Sequence, residues 1–208
     1  VENAKKPNGF WGKMMIKAMN KGHSSLTSWG LEHMNIERTA TVLDIGCGGG
    51  KTVDRLCSIV ANGKVYGIDY SELSVKSSEK LNSKNILCNK AKILQASVSD
   101  MPFDDNTFDN ITAVETYYFW PDKENDVKEV FRVLKQGGTV MLLFEMLRTD
   151  DDPFKWEKVE NMLNIKSVTP QEIRAVLESA GFENINTYTK EGTTWLCATA
   201  QKPKDDEN

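Results

Sequence analysis

The chain is poor in the residues from which metal, dithiol and membrane-embedded sites are built. Its four cysteines, Cys47, Cys57, Cys88 and Cys197, are scattered through 208 residues and form no C-x-x-C pair. No metal-ligating set is read from them, and the pattern fits reduced thiols in a cytoplasmic protein. Only two histidines are present, His23 and His33. No apolar run approaches the roughly 20 residues needed to cross a bilayer. The first ten residues, VENAKKPNGF, contain no apolar h-region, so no signal peptide is expected. An excess of positive charge is missing too: 26 Lys and Arg stand against 30 Asp and Glu, a formal net charge of -4. That balance counts against a polyanionic partner, because nucleic-acid modules carry a basic face. There is no internal repeat and no low-complexity tract. A length of 208 residues fits one domain with a sizeable core.

What is present centres on Thr41 to Gly50, TVLDIGCGGG. Val42, Leu43 and Ile45 make a short apolar run that predicts a buried strand. Gly46-Cys47-Gly48-Gly49-Gly50 follows, and then Val53, Leu56, Cys57 and Val60 recur at helical spacing. Strand, glycine turn and helix start, in that order, imply a nucleotide-like ligand. Glycine lets backbone approach the ligand without a Cβ, and the first turn of a helix offers unpaired N–H groups.

The remainder alternates strand and helix. Upstream, Trp11, Met14, Met15 and Ala18 share one helical face, and a second short helix runs through Leu26, Trp29 and His33. Residues 1–40 are therefore read as a helical cap over an edge of the sheet or the mouth of the site, ahead of a core at 41–202. Further strands are expected at Lys64–Asp69, Ala91–Val98, Phe108–Thr116 and Thr139–Phe144. Helices follow Ser71 and Asp122 as N-caps, the latter carrying Val127, Val130, Phe131 and Leu134 and ending at Gly137-Gly138. Residues 148–166 are long for a strand–helix loop and are read as a lid. Thr169-Pro170-Gln171-Glu172 is a capping box with proline at the first helical position, and Gly181 closes that helix. Strands at about 185–189 and 194–200 are joined by Lys190-Glu191-Gly192, too short for a crossover, so they form a hairpin with one antiparallel strand. The charged tail from Lys202, with residues 203–208, is expected to be frayed.

Such alternation predicts an α/β fold with a mostly parallel sheet and helices on both faces. Ligands of open α/β sheets bind at the carboxyl ends of the strands. Asp69 ends the second strand a little over 20 residues after the first glycine, where an acid accepts hydrogen bonds from a ribose diol. Tyr70 offers a flat face to an adenine. Asp44, inside the first strand, is costly to bury without partners. It either bonds loop N–H groups or faces a cationic end of the ligand.

These residues also carry a family resemblance. Val42 to Gly50 resembles the first motif of the class I S-adenosylmethionine-dependent methyltransferases, and Asp69 matches their ribose-binding acid. Ser97-Val98-Ser99-Asp100-Met101-Pro102-Phe103 with Phe108-Asp109 resembles the third motif of the small-molecule, type 11 branch that contains the quinone-biosynthesis enzymes. Phe131 to Gly138, FRVLKQGG, is similar to that branch's signature before the fifth strand. The resemblance spans about residues 41–144. It implies a Rossmann-like seven-stranded sheet and S-adenosylmethionine as cofactor, with S-adenosylhomocysteine as product. The implied cofactor-binding residues are Asp44, Gly46, Cys47, Gly48, Asp69, Tyr70, Ser97, Val98, Ser99 and Glu115. Relatives commonly carry an acid where Ser97 stands and use it on the adenine amino group; a serine hydroxyl, Asp100 or the backbone near Val98 takes that place here. The segment Glu115-Thr116-Tyr117-Tyr118-Phe119-Trp120 departs from the histidine-containing pattern usual at the end of the fourth strand.

The implied reaction is in-line methyl transfer from a sulfonium to a small-molecule nucleophile, for which alignment and exclusion of water are the protein's main work. Tyr117, Tyr118 and Trp120 either face the cationic donor through their rings or pack between sheet and helix. Glu115 accepts from the cofactor's amino group or serves as a substrate base. His23, in a glycine–serine break, is a candidate substrate contact; His33 is read as structural. Two competing readings stay open. An NAD-dependent dehydrogenase shares the strand–glycine–helix–acid logic, but Gly46-x-Gly48-x-Gly50 departs from its G-x-G-x-x-G spacing. A non-catalytic cofactor-binding protein needs no further residue at all.

Overall fold

The computed structural model describes residues 24–204. The helix expected through Trp11 to Ala18, the candidate His23 and residues 205–208 lie outside them. Helix α1 (Ser24–Leu31) precedes strand β1 (Thr41–Ile45), helix α2 (Lys51–Ile59), strand β2 (Lys64–Asp69), helices α3 (Glu72–Leu81) and α4 (Ser83–Leu87), and strand β3 (Ala91–Gln95). Strand β4 (Phe108–Val114), a 3-10 turn at Tyr117–Phe119, helix α5 (Lys123–Val133) and strand β5 (Leu134–Phe144) follow. Helices α6 (Glu157–Leu163) and α7 (Pro170–Ser179) and strands β6 (Glu183–Thr189) and β7 (Leu196–Gln201) complete the chain.

The strands form one seven-stranded sheet in the order β3-β2-β1-β4-β5-β7-β6. β3, β2, β1, β4 and β5 run parallel, and β7 is antiparallel to both its neighbours. The expected mixed sheet and closing hairpin are both present. Strand order reverses between β1 and β4, which opens a crevice beyond their carboxyl ends.

Why the strands read as continuous apolar runs is visible in the packing. Val42 of β1 meets Val53 and Leu56 of α2 on one face, whereas Leu43 and Ile45 join Ile111, Val127 and Val130 on the other. β5 divides likewise: Val140, Leu142 and Phe144 face α5 and α7, and Met141 and Leu143 lie under Leu26 of α1. Each fully buried side chain of this kind contributes about 1.5–3 kcal/mol. The cap helix α1 therefore covers the interior strands β5 and β7 rather than an edge, seated so closely that a Cβ on Gly30 would lie 2.7 Å from Leu143. His33 stacks on Tyr188 at 4.0 Å, in keeping with its structural reading.

Several boundaries differ from the sequence expectation; the helix expected through His33 ends at Leu31, and β5 begins at Leu134 rather than Thr139. β3 stops at Gln95, because Ser97 Oγ accepts from Ser99 N–H and Ser97 O from Asp100 N–H, folding Ser97–Asp100 into a tight turn. β4 stops at Val114, where Glu115 takes a left-handed conformation with φ 57°. Helix α5 ends at Val133, not at Gly137-Gly138, which lie inside β5 at a shift of register. Its C-terminus is capped from the far end of the chain: Lys202 Nζ donates to Phe131 O and Leu134 O at 2.8 and 2.9 Å and to Asn106 Oδ1. A cation there also suits the helix dipole. Lys202 is consequently buried, not part of a frayed tail.

Candidate active site

The glycine loop leaves β1 through Gly46 (φ 68°) and Gly48 (φ 52°), a backbone region that L side chains rarely enter. The two glycines serve different purposes. A Cβ on Gly46 would lie 2.1 Å from Thr116 Oγ1, so this glycine lets the loop pass the end of β4. A Cβ on Gly48 would meet nothing nearer than Gly46 O at 3.9 Å, so its outer side is open. The loop is latched on both flanks. Gly48 N–H donates to Asp69 Oδ2 at 2.9 Å, and Cys47 N–H to Ile68 O. Asn82 Nδ2 donates to Gly50 O at 3.0 Å from the end of α3. The Cys47 thiol is buried beneath the loop beside Ser78, and that burial raises its pKa well above an ordinary thiol, so it acts as packing.

Asp69 stands at the carboxyl end of β2, its other oxygen accepting from Ser71 N–H at 2.8 Å. Burial raises its pKa, against the lowering effect of these two N–H groups. Tyr70, next along, keeps its ring 41% exposed. Ser97, Val98, Ser99 and Asp100 form the turn after β3, the strand paired with β2, with Val98 buried and Ser99 and Asp100 at the surface. The structure thus gathers Asp44, Gly46, Cys47, Gly48, Asp69, Tyr70 and the Ser97–Asp100 turn along one rim, at the carboxyl ends of adjacent strands.

Asp44 is 2% exposed and bonds no loop N–H group; Thr112 Oγ1, directly across on β4, donates to it at 2.7 Å. Burial, and secondarily the charge of Asp69, pushes its pKa up to about 7. Glu115 accepts a short hydrogen bond from Glu145 N–H and one from Tyr118 hydroxyl at 3.5 Å, tying the end of β4 to that of β5. Burial lifts it to about 8. None of the ion pairs among the described residues reaches Asp44, Asp69 or Glu115. Two buried acids and the partly buried Glu115, none paired with a cation among the described residues, suit a ligand that brings positive charge and hydroxyl groups.

The titration of Asp44 gives a measurable consequence. Its folded-state value lies above the ordinary 3.8, so its contribution to folding is complete below about pH 4 and is lost as the pH rises through about 7. A bound cation would hold the carboxylate ionised. The affinity for a ligand that sets a positive charge beside Asp44 is therefore expected to rise by up to about tenfold per pH unit below 7 and to level off above it. Calorimetry in two buffers of different ionisation enthalpy should show proton release near pH 6.5, abolished in Asp44→Asn; identical heats in wild type would contradict this.

Tyr117, Tyr118 and Trp120 are all buried. Tyr117 and Tyr118 meet Phe144 edge-on at 5.6 and 5.5 Å, and Tyr117 lies 5.2 Å from Trp120. Packing between sheet and helix accounts for their positions. Thr112, Thr116 and Asn82 escaped the sequence reading. Each lies about 30 to 70 residues from its neighbour in β1 or the glycine loop, and no local pattern marks it.

Comparison with known proteins agrees with this geometry. A family model described as a methyltransferase domain matches residues 43–142. The chain is 27% identical over 183 residues to the uncharacterized methyltransferase YdaC of Bacillus subtilis, covering 87% of this chain and 93% of that protein. It is 31% identical over 181 residues to the ubiquinone/menaquinone biosynthesis C-methyltransferase UbiE of Cronobacter sakazakii, covering 76% and 72%. It spans 42%, 30% and 48% of three longer relatives, two sterol 24-C-methyltransferases and a demethylmenaquinone methyltransferase. Among solved structures, an S-adenosylmethionine-dependent methyltransferase of Aquifex aeolicus shares the fold, with a TM-score of 0.70 and 21% identity over 90% of this chain and 97% of that one. With the strand–glycine–helix site and the relationship to UbiE together, the chain belongs to the class I S-adenosylmethionine-dependent methyltransferases.

Proposed function

We propose that the chain binds S-adenosylmethionine across the crevice between β1 and β4 and methylates a small molecule. Asp69 takes the ribose hydroxyls, Gly46 to Gly48 support the methionine portion, and Tyr70 with the Ser97–Asp100 turn holds the adenine. Asp44 faces the cationic end, and Glu115 serves the amino group. When bound, the cofactor supplies an electrophilic methyl group on a sulfonium. The chain's own residues orient the reactants and exclude water, and the lid at 148–166 closes over them. In the lid, α6 is tied down through Trp156 Nε1, which donates to Leu147 O at 3.0 Å, while Phe154 stays 73% exposed. At the start of this segment a cavity of about 450 Å³ opens between Arg148, Gln171 and Lys190.

The single observation behind this reading is the latch from Gly48 N–H to Asp69, beneath a glycine whose outer side is open. Two further points support the choice of acceptor. Its relatives are named for quinone and sterol methylation, and the net charge of -4 disfavours nucleic acid. Among the described residues no helix is long and apolar enough to cross a membrane. The scattered cysteines, none in a C-x-x-C pair, support a cytoplasmic location. Calorimetric titration with S-adenosylhomocysteine and with NAD tests the reading. Binding of the first alone is expected; binding of NAD alone would replace it with the dehydrogenase reading.

A further inference from the structure

The signature around Arg132 is unused by the site described so far, yet Arg132 makes the densest set of side-chain hydrogen bonds near it. Its guanidinium grips Glu129 with two 2.7 Å bonds, from Nε and Nη2. The remaining donors cross to the loop that follows β3: Nη1 reaches Phe103 O at 2.8 Å and Asp105 Oδ1 at 2.7 Å, and Nη2 reaches Met101 O at 3.2 Å. Glu129 Oε1 closes the arrangement by accepting from Met101 N–H at 2.9 Å. Both polar groups of the Met101 backbone are thus held by one ion pair on α5. Met101 directly follows the Ser97–Asp100 turn, whose Val98 side chain is buried in the same core cluster as Met101.

We propose that the Glu129–Arg132 pair is a positioning device for adenine recognition: it fixes the backbone of the Ser97–Asp100 turn from behind, so that the turn presents its polar groups to the base. The inference rests on the assignment of that turn to the adenine. The turn itself has little of its own to hold it. Its internal hydrogen bonds are 3.2 and 3.3 Å long, and Ser99 and Asp100 are exposed. A planar fork with five donors suits the task, since it satisfies two carbonyls and two carboxylates in one geometry that a lysine ammonium cannot reproduce.

The test compares S-adenosylhomocysteine with its inosine counterpart, in which an oxo group replaces the adenine amino group, by calorimetry on wild type, Arg132→Met, Arg132→Lys and Ile173→Ala. The last truncates a buried side chain of α7, a helix that makes none of the hydrogen bonds to the Met101 loop, and controls for general destabilisation. Wild type is expected to prefer the adenine compound by about tenfold or more, the worth of one or two well-placed hydrogen bonds. Arg132→Met should bring that preference close to one, and Arg132→Lys should leave it intermediate. Ile173→Ala should retain it at a similar loss of melting temperature. A folded Arg132→Met with the wild-type preference overturns the proposal, and if Arg132→Met does not fold, an undiminished preference in Arg132→Lys does so. Absence of any preference in wild type that still binds S-adenosylhomocysteine overturns the adenine assignment itself, and the proposal with it.

Discussion

Gly48→Val is expected to give a folded protein that no longer binds S-adenosylhomocysteine. A Cβ at this position would meet nothing nearer than Gly46 O at 3.9 Å, so the new side chain starts into open space. Its cost to folding is the left-handed backbone, φ 52°, about 1–2 kcal/mol for an L residue. The cost to binding is larger, because the side chain would occupy the volume proposed for the ligand. A rise in Kd of about a hundredfold or more, near 3 kcal/mol, is expected with a modest fall in melting temperature. Gly46 would be a poorer probe, since its Cβ would strike Thr116 and disturb β4 before any ligand arrived. Wild-type affinity in Gly48→Val would show that the ligand does not lie against the loop.

Asp69→Ala comes next in size. The carboxylate holds Gly48 N–H and Ser71 N–H within the protein, and the proposed ribose contact adds to both. Losing charge-assisted hydrogen bonds of about 1.5–3 kcal/mol each should weaken binding by about 2–4 kcal/mol in total. Part of that loss would come through loop disorder alone, so a second ligand separates the two roles. The 2′-deoxy counterpart of S-adenosylhomocysteine lacks one hydroxyl. If Asp69 holds the ribose, the alanine variant should penalise the natural compound more than the deoxy one. Equal penalties would reduce Asp69 to a latch for the loop.

Much of this site is legible in the sequence, because its demands are local. A left-handed turn calls for glycine, a strand end calls for its acid at a fixed distance, and Thr169 with Glu172 forms its capping box within four residues. Buried strands announce themselves because both faces of the sheet are covered. What the sequence conceals is held by distant partners. Glycines seemed sufficient to stop α5, but the actual cap is Lys202, about 70 residues on. Of the two readings of Asp44, a bond to loop N–H groups or a face for a cationic ligand end, the first fails because strand pairing sets it opposite Thr112. The sequence reads as strand to Thr116 and leaves Tyr117, Tyr118 and Trp120 between an aromatic site and packing; the left-handed Glu115 ends the strand, and the three rings are buried.

A crystal structure with S-adenosylhomocysteine bound examines the central claim at its narrowest point, the sugar between two neighbouring strands. Both ribose hydroxyls should lie within about 2.6–3.0 Å of the Asp69 carboxylate, with the ligand's chain passing over Gly48. An adenosine found elsewhere, or an Asp69 turned away from the sugar, would contradict it.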